Sequence, residues 1–344
     1  MRVRRLAGMG ALVLCMSLLP MGARAGQRPV TIKLATLATE GTIFYEQLLK
    51  LGQEWNRVSD GAVRLKIYAG GIAGSEYDMV RKMRIGQLQA ATISSLGMML
   101  IDPSYAALQV PGVMGSYAEL DYCREHLAPD INQRFADKGY VILNYSDLGH
   151  MYFFTTEPVA SVDQLQRRKV CTFASDRMSK EIWARAGFKI VDVSMNEMLT
   201  ALHTGLAQGF INSPVLALSY QLFGKARYMV DTSYGIAIAS TIVRKRDWDR
   251  IDPALQVKLR QVAETVARQA QPEIRALDQR AIEQMRTYGL ELVPVAATER
   301  EMWLAPVKAV YPLISAELIP GGVFEKTLKL RDSYRAQHAV SVSQ

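Results

Sequence analysis

Three thiols and four imidazoles are the groups in this chain that could carry covalent or metal chemistry: Cys15, Cys123 and Cys171, with His126, His150, His203 and His338. A zinc site needs ligands at short, repeated intervals, and these histidines show none. A cysteine enzyme would use Cys171 as nucleophile with His150 or His203 as base, but no local motif joins them. Neither a metal nor a cofactor is expected. Cys123 falls in a predicted helix and Cys171 on a distant strand, so two free thiols are expected, although an oxidising compartment would permit a disulfide. The remaining polar candidates suit binding. Asn212 can donate and accept at a strand end, Ser94 closes another strand, and Glu76 opens a helix, where it would also favour the helix dipole.

The elements that must position these groups follow from periodicity. Thr31 to Thr36 alternates as a strand, and Phe44, Leu48, Leu51 and Trp55 recur at helical intervals. Asp60-Gly61 turns into a second strand at Val63 to Ile67, and Ser75 with Asp78 forms a capping box before a helix to Arg84. Ala90 to Ser94 is a third strand. From Asp163 the same alternation returns: a strand at Lys169 to Phe173, a helix to Ala186, Ile190-Val191, a helix from Ser194 to Gly205, and Phe210 to Asn212. Tyr152, Phe153 and Phe154 also alternate, with one face expected in the core. Repeated strand, helix, strand units predict an α/β protein with mixed, mainly parallel sheets. Further capping boxes start helices after Ser116 and Ser194, and Thr298 with Glu301 starts another. Asp252-Pro253 opens a run of about 35 residues to Gly289, or roughly 50 Å at 1.5 Å per residue. That exceeds one small domain, so a single helix is expected to span two lobes, with Pro272 as a potential kink.

Residues 1–25 read as a secretory signal, with Arg2, Arg4 and Arg5 before an apolar run and Ala23-Arg24-Ala25 as the cleavage form. Leu14 is too bulky for Cys15 to be a lipoprotein cysteine, and Leu6-Ala7 continues a twin-arginine motif poorly. No later run is long and apolar enough to span a bilayer. The formal charge of +8 falls to +4 once Arg2, Arg4, Arg5 and Arg24 leave with the signal. The basic residues are scattered, without interleaved aromatics that would stack bases, so nucleic acid is not an expected partner.

In order and spacing, Asp60-Gly61, Gly70-Gly71-Ile72-Ala73-Gly74-Ser75-Glu76, Gly86 to Ala90, Val110-Pro111-Gly112-Val113-Met114 and Ala201 to Gly205 resemble the solute receptors of tripartite ATP-independent periplasmic (TRAP) transporters. The likeness runs from Thr31 to Arg335. It implies a periplasmic, two-lobed receptor that closes on a small molecule and delivers it to integral membrane transporter subunits. Lobe I would be residues 30–148 plus 238–275, and lobe II residues 149–237 plus 290–340, with 253–288 as the inter-lobe helix. A sensor subunit for a membrane kinase would share this cleft.

The resemblance also assigns the site. Family members carry a ligand-touching asparagine where this chain has Asn212, and a carboxylate-clamping arginine where it has Cys171 after Lys169-Val170. A second arginine of some members falls on Met151, after Gly149-His150. Both arginines are absent, and burying an unpaired carboxylate costs several kcal/mol. The ligand is therefore expected to be neutral or apolar rather than a simple carboxylate, with Leu37 and Met195 as further apolar lining and Ser94, Glu76 and His150 as polar contacts. Hiding roughly 300 Å² of apolar surface would yield about 7 kcal/mol, enough to replace a lost ion pair.

Overall fold

A computed structural model describes residues 29–173, 177–319 and 321–339. The expected signal segment, 1–25, lies outside them. In chain order the strands are β1 (Val30–Thr36), β2 (Val63–Tyr68), β3 (Ala90–Ser94), β4 (Tyr140–His150), β5 (Tyr152–Thr155), β6 (Lys169–Phe173), β7 (Lys189–Val193), β8 (Gly209–Asn212), β9 (Tyr228–Val230), β10 (Ile236–Arg244) and β11 (Glu291–Val293). They form two sheets, ordered β2-β1-β3-β10-β4 and β11-β9-β5-β8-β6-β7. Each is mixed. Strand β1 pairs in parallel with β2 and β3, whereas β10 runs antiparallel to β3 and β4; in the second sheet β6 is parallel to β7 and β8, and β5 antiparallel to β8 and β9. Below, lobe I denotes the part built on the first sheet and lobe II the part built on the second.

The chain passes between the sheets in neighbouring places. Strand β4 becomes β5 through Met151, and β9 leads into β10 through Asp231 to Gly235. The two crossings are laddered together: Met151 N–H donates to Gly235 O at 2.9 Å, and Tyr234 N–H to Met151 O at 2.9 Å. The helix Pro253–Thr287, 35 residues long, is a third connection. Asp252 caps it through the Ala254 and Leu255 N–H groups, and it continues through Pro272 without ending. Leu259, Ala263 and Val266 pack with Ile32, Leu34 and Trp55 of lobe I, whereas Ile282 and Met285 pack with Phe154, Met198 and Phe210 of lobe II.

Most local signals carry over. Ser75 and Ser194 complete their capping boxes with Asp78 and Glu197. Ser116 caps its helix, but Glu119 reaches past it to the Gly115 N–H at 2.6 Å and to Arg335. The helix expected from Thr298 begins at Arg300, and Glu301 pairs with Lys308 instead of returning to Thr298. Phe153 and Phe154 are both fully buried, one in each of two clusters, so both faces of β5 are covered rather than one. Strands β4 and β10 had no expectation in the sequence. Asn144, Ser146 and Asp147 break the alternation of β4, and the burial of Asn144 and Asp147 is made tolerable by tertiary partners: Arg124 and Arg275 for Asp147, and the Thr241 N–H for Asn144.

Candidate functional site

Strand register fixes where the cleft lies. Ser94, the last residue of β3, pairs with Ala239 of β10, three residues along from Ile236, which pairs with His150 beside the crossing. At about 3.3 Å per residue Ser94 is roughly 10 Å from the hinge along that strand. Across the crossing, Asn212 ends β8 opposite Tyr152, one residue from Met151, and β6 runs parallel to β8. The carboxyl ends of the parallel strands in both sheets therefore converge on the hinge, which is where open α/β sheets place their ligands.

On the lobe I side, the turn after β2 lies against the end of β1. Gly70 and Gly71 adopt φ of 60° and 76° and donate to Ala38 O and Thr36 O. A Cβ on Gly71 would meet the Leu37 side chain at 3.4 Å, an ordinary contact, so the left-handed φ rather than crowding favours glycine here. Leu37 is 48 % exposed and Ile72 79 %, an apolar rim. Glu76 and Ser94 come together, but not as free groups. The Glu76 carboxylate accepts from Ser94 N–H, Ser94 Oγ and Gly97 N–H, each at 2.8 Å. Burial pushes its pKa up, with those bonds opposing. Glu76 and Ser94, both expected as polar contacts, satisfy each other and secure the start of the helix Ser95–Met99.

On the lobe II side, Asn212 is 1 % exposed. Its Oδ1 accepts from the Ser213 N–H at 2.9 Å, which fixes the amide orientation, and its Nδ2 has no hydrogen-bond partner. The next residue, Ser213, caps the helix Pro214–Ser219, its hydroxyl accepting from the Leu216 N–H. Thr172, unnoticed in the sequence, is 4 % exposed with an equally unpartnered Oγ1. Cys171 has no exposed surface and lies among Phe154, Phe210 and Met198. Alternation along β6 turns Val170 into one cluster and Cys171 into the other, so Cys171 serves as packed apolar wall, not as a group reaching into the crevice. Burial raises its thiol to about 11, which removes it as a nucleophile. His203 is exposed on another helix. Cys123 and Cys171 are both free thiols.

Met151 is half-buried against the inner cluster at the crossing. Met195 opens the helix Met195–Thr204, and its side chain lies outside what the structure describes. His150 donates from Nδ1 to Ser233 Oγ at 2.9 Å, since that hydroxyl itself donates to Gly235 O. Burial lowers its pKa to about 4, so it is neutral. Of the seven expected residues whose side chains are described, only His150 lines the cavity of about 480 Å³ beside the crossing, with Ser116, Glu119, Tyr152, Asp231 and Arg335. A buried acid that the sequence reading passed over, Asp278, sits at the same hinge. It was visible as a carboxyl midway between Ile274 and Ile282 in the apolar stripe of the long helix.

Two α/β lobes joined by laddered crossings, spanned by one helix and converging their strand ends on a hinge, define a solute-binding receptor rather than an enzyme. The sequence pattern of bacterial extracellular solute-binding protein family 7 matches residues 34–317, and the chain belongs to that family. A solute-binding protein of Roseobacter denitrificans is 23 % identical over 257 residues, covering 74 % of this chain and 78 % of the relative. A TRAP periplasmic solute-binding protein of Ochrobactrum anthropi, with its C-terminus bound in the ligand pocket, superposes with TM-score 0.84 at 19 % identity, over 92 % of this chain and 98 % of that one. A TRAP receptor of Pseudomonas putida F1 with bound D-glucuronate gives 0.74 at 22 % identity, over 84 % and 95 %. At these identities the solved structures establish the fold.

Proposed function

We propose that this receptor works in the periplasm, closing on a small neutral ligand with an apolar body and presenting it to membrane subunits of a TRAP-type transporter. The observation that carries the reading is the Asn212 amide: one end is anchored by the Ser213 N–H, and the other is a buried donor with no partner. Such a donor costs about 1–3 kcal/mol unless an acceptor arrives, so a ligand carbonyl or hydroxyl would recover that cost on binding. Leu37 and Met151 supply apolar surface on either side. The Pseudomonas putida receptor holds an acid, D-glucuronate. Position 151, at the crossing, carries Met, and a carboxylate placed there would lack the arginine fork that offsets its desolvation.

Native mass spectrometry of the mature protein, purified gently enough to retain its solute, tests this. A neutral compound released from the wild type and lost from Asn212→Ala is the expected result. A retained carboxylic acid overturns the neutral reading and leaves the receptor assignment standing. Retention unchanged in Asn212→Ala removes Asn212 from the site.

A further inference from the structure

Between Val266, in the lobe I cluster, and Ile282, in the lobe II cluster, the long helix buries one charged side chain, Asp278, at 6 % exposure. Its Oδ2 accepts from the His150 N–H at 2.6 Å, the Val215 N–H also stabilises the carboxylate, and Oδ1 has no hydrogen-bond partner. Gly149 explains itself here: φ is +113°, and a Cβ would stand 2.7 Å from both carboxyl oxygens. Three pieces of chain thus meet at one group: the crossing from β4 to β5, the long helix, and the segment that follows Asn212.

We propose that Asp278 is the positioning residue of the hinge, holding the crossing at His150 against the long helix and the helix that follows Asn212, so that the lobes turn about this carboxyl. The proposal goes beyond the ligand reading and does not depend on it. The ionisable groups around Asp278 are Tyr117 from the helix Tyr117–Asp137, Tyr152 from β5, His150 and Asp147 from β4, and Arg275 one turn earlier on its own helix. The helix Pro214–Ser219 contributes none. Arg275 is taken up by Asp121 at 2.6 Å and Asp147 at 2.7 Å, which leaves Asp278 without a compensating cation.

Burial therefore raises Asp278 to about 7 against the pull of the His150 N–H, while burial lowers the His150 imidazole to about 4. Opening that admits water returns both toward ordinary values. A proton taken up by Asp278 then favours the packed hinge, and one taken up by His150 favours the open one. In the intact protein the two oppose each other, and single substitutions separate them.

Spin labels at Val257→Cys and Leu206→Cys, exposed positions in lobes I and II, report the inter-lobe distance of the solute-stripped mature protein; both native thiols are buried. In His150→Gln the open population should rise as pH goes from 5 to 7.5, by at most about tenfold per unit. In Asp278→Asn it should rise in the opposite direction, as pH falls. Gly149→Ala, which pushes the carboxyl aside, should follow Asp278→Asn and serves if that variant does not fold by circular dichroism. Opposite signs establish the hinge role. Equal signs, or no response in His150→Gln, overturn it.

Discussion

The two walls of the cleft handle their polar groups in opposite ways. On the lobe I wall, Glu76 spends its accepting capacity on Ser94 and Gly97. On the lobe II wall, Asn212 and Thr172 keep buried polar atoms without partners. A self-satisfied network rigidifies its surroundings, whereas an orphaned donor stores a cost that an incoming acceptor removes. On the reading proposed above, lobe I would be the fixed wall and lobe II the wall that reads the ligand.

The contrast can be broken most forcefully at Cys171. Cys171→Arg would place a guanidinium among Phe154, Phe210 and Met198 and should cost more than about 4 kcal/mol, seen as a large loss in urea midpoint. Stability equal to wild type would show that the side chain reaches the crevice after all. Glu76→Ala leaves the Ser94 and Gly97 N–H groups without their acceptor and should cost about 3 kcal/mol of stability, with little change in solute retention. A large retention effect without destabilisation would make lobe I a reading wall too.

Asn212→Ala should weight the two effects the other way, lowering affinity for the retained solute about tenfold to a hundredfold by calorimetry while costing only about 1 kcal/mol of stability, from the Ser213 N–H that loses its acceptor. The pH dependence sharpens the same contrast. Burial raises the folded-state pKa of Glu76, so the folded chain keeps this proton to higher pH than the unfolded chain does. The associated stability is full below the ordinary value of 4.5 and is lost as pH climbs through the raised one. Glu76→Gln should remove that slope from pH-dependent denaturation, and Asn212→Ala should not. The smallest effect is Ser94→Ala, which removes one of three bonds to Glu76 and should cost about 1 kcal/mol of stability.

Legibility in the sequence tracked the range of the interactions. The caps at Ser75, Ser194 and Asp252 are settled within four residues, and the long helix follows from apolar spacing. Strands β4 and β10 were missed because their polar residues are balanced by partners far along the chain, such as Asp147 with Arg275 at a separation of 128 residues. The site divided similarly. Asn212, proposed above as a ligand contact, was singled out by resemblance to the family pattern, and its anchored amide lies one residue from its partner. Glu76 and Ser94 were both singled out, but nothing local says that two residues 18 apart will satisfy each other.

By itself the sequence determined the helices and most strands, the family and the identity of the residues at the strand ends, because periodicity and caps are set by neighbours within a turn or two. Only the tertiary structure decided that Cys171 packs inward, that Glu76 is already occupied and that Asp278 meets His150 128 residues away. A strand presents alternate residues to opposite faces, and which face is filled depends on what is laid against it. That is a property of the assembled sheets and helices, settled when two cores close around one shared helix.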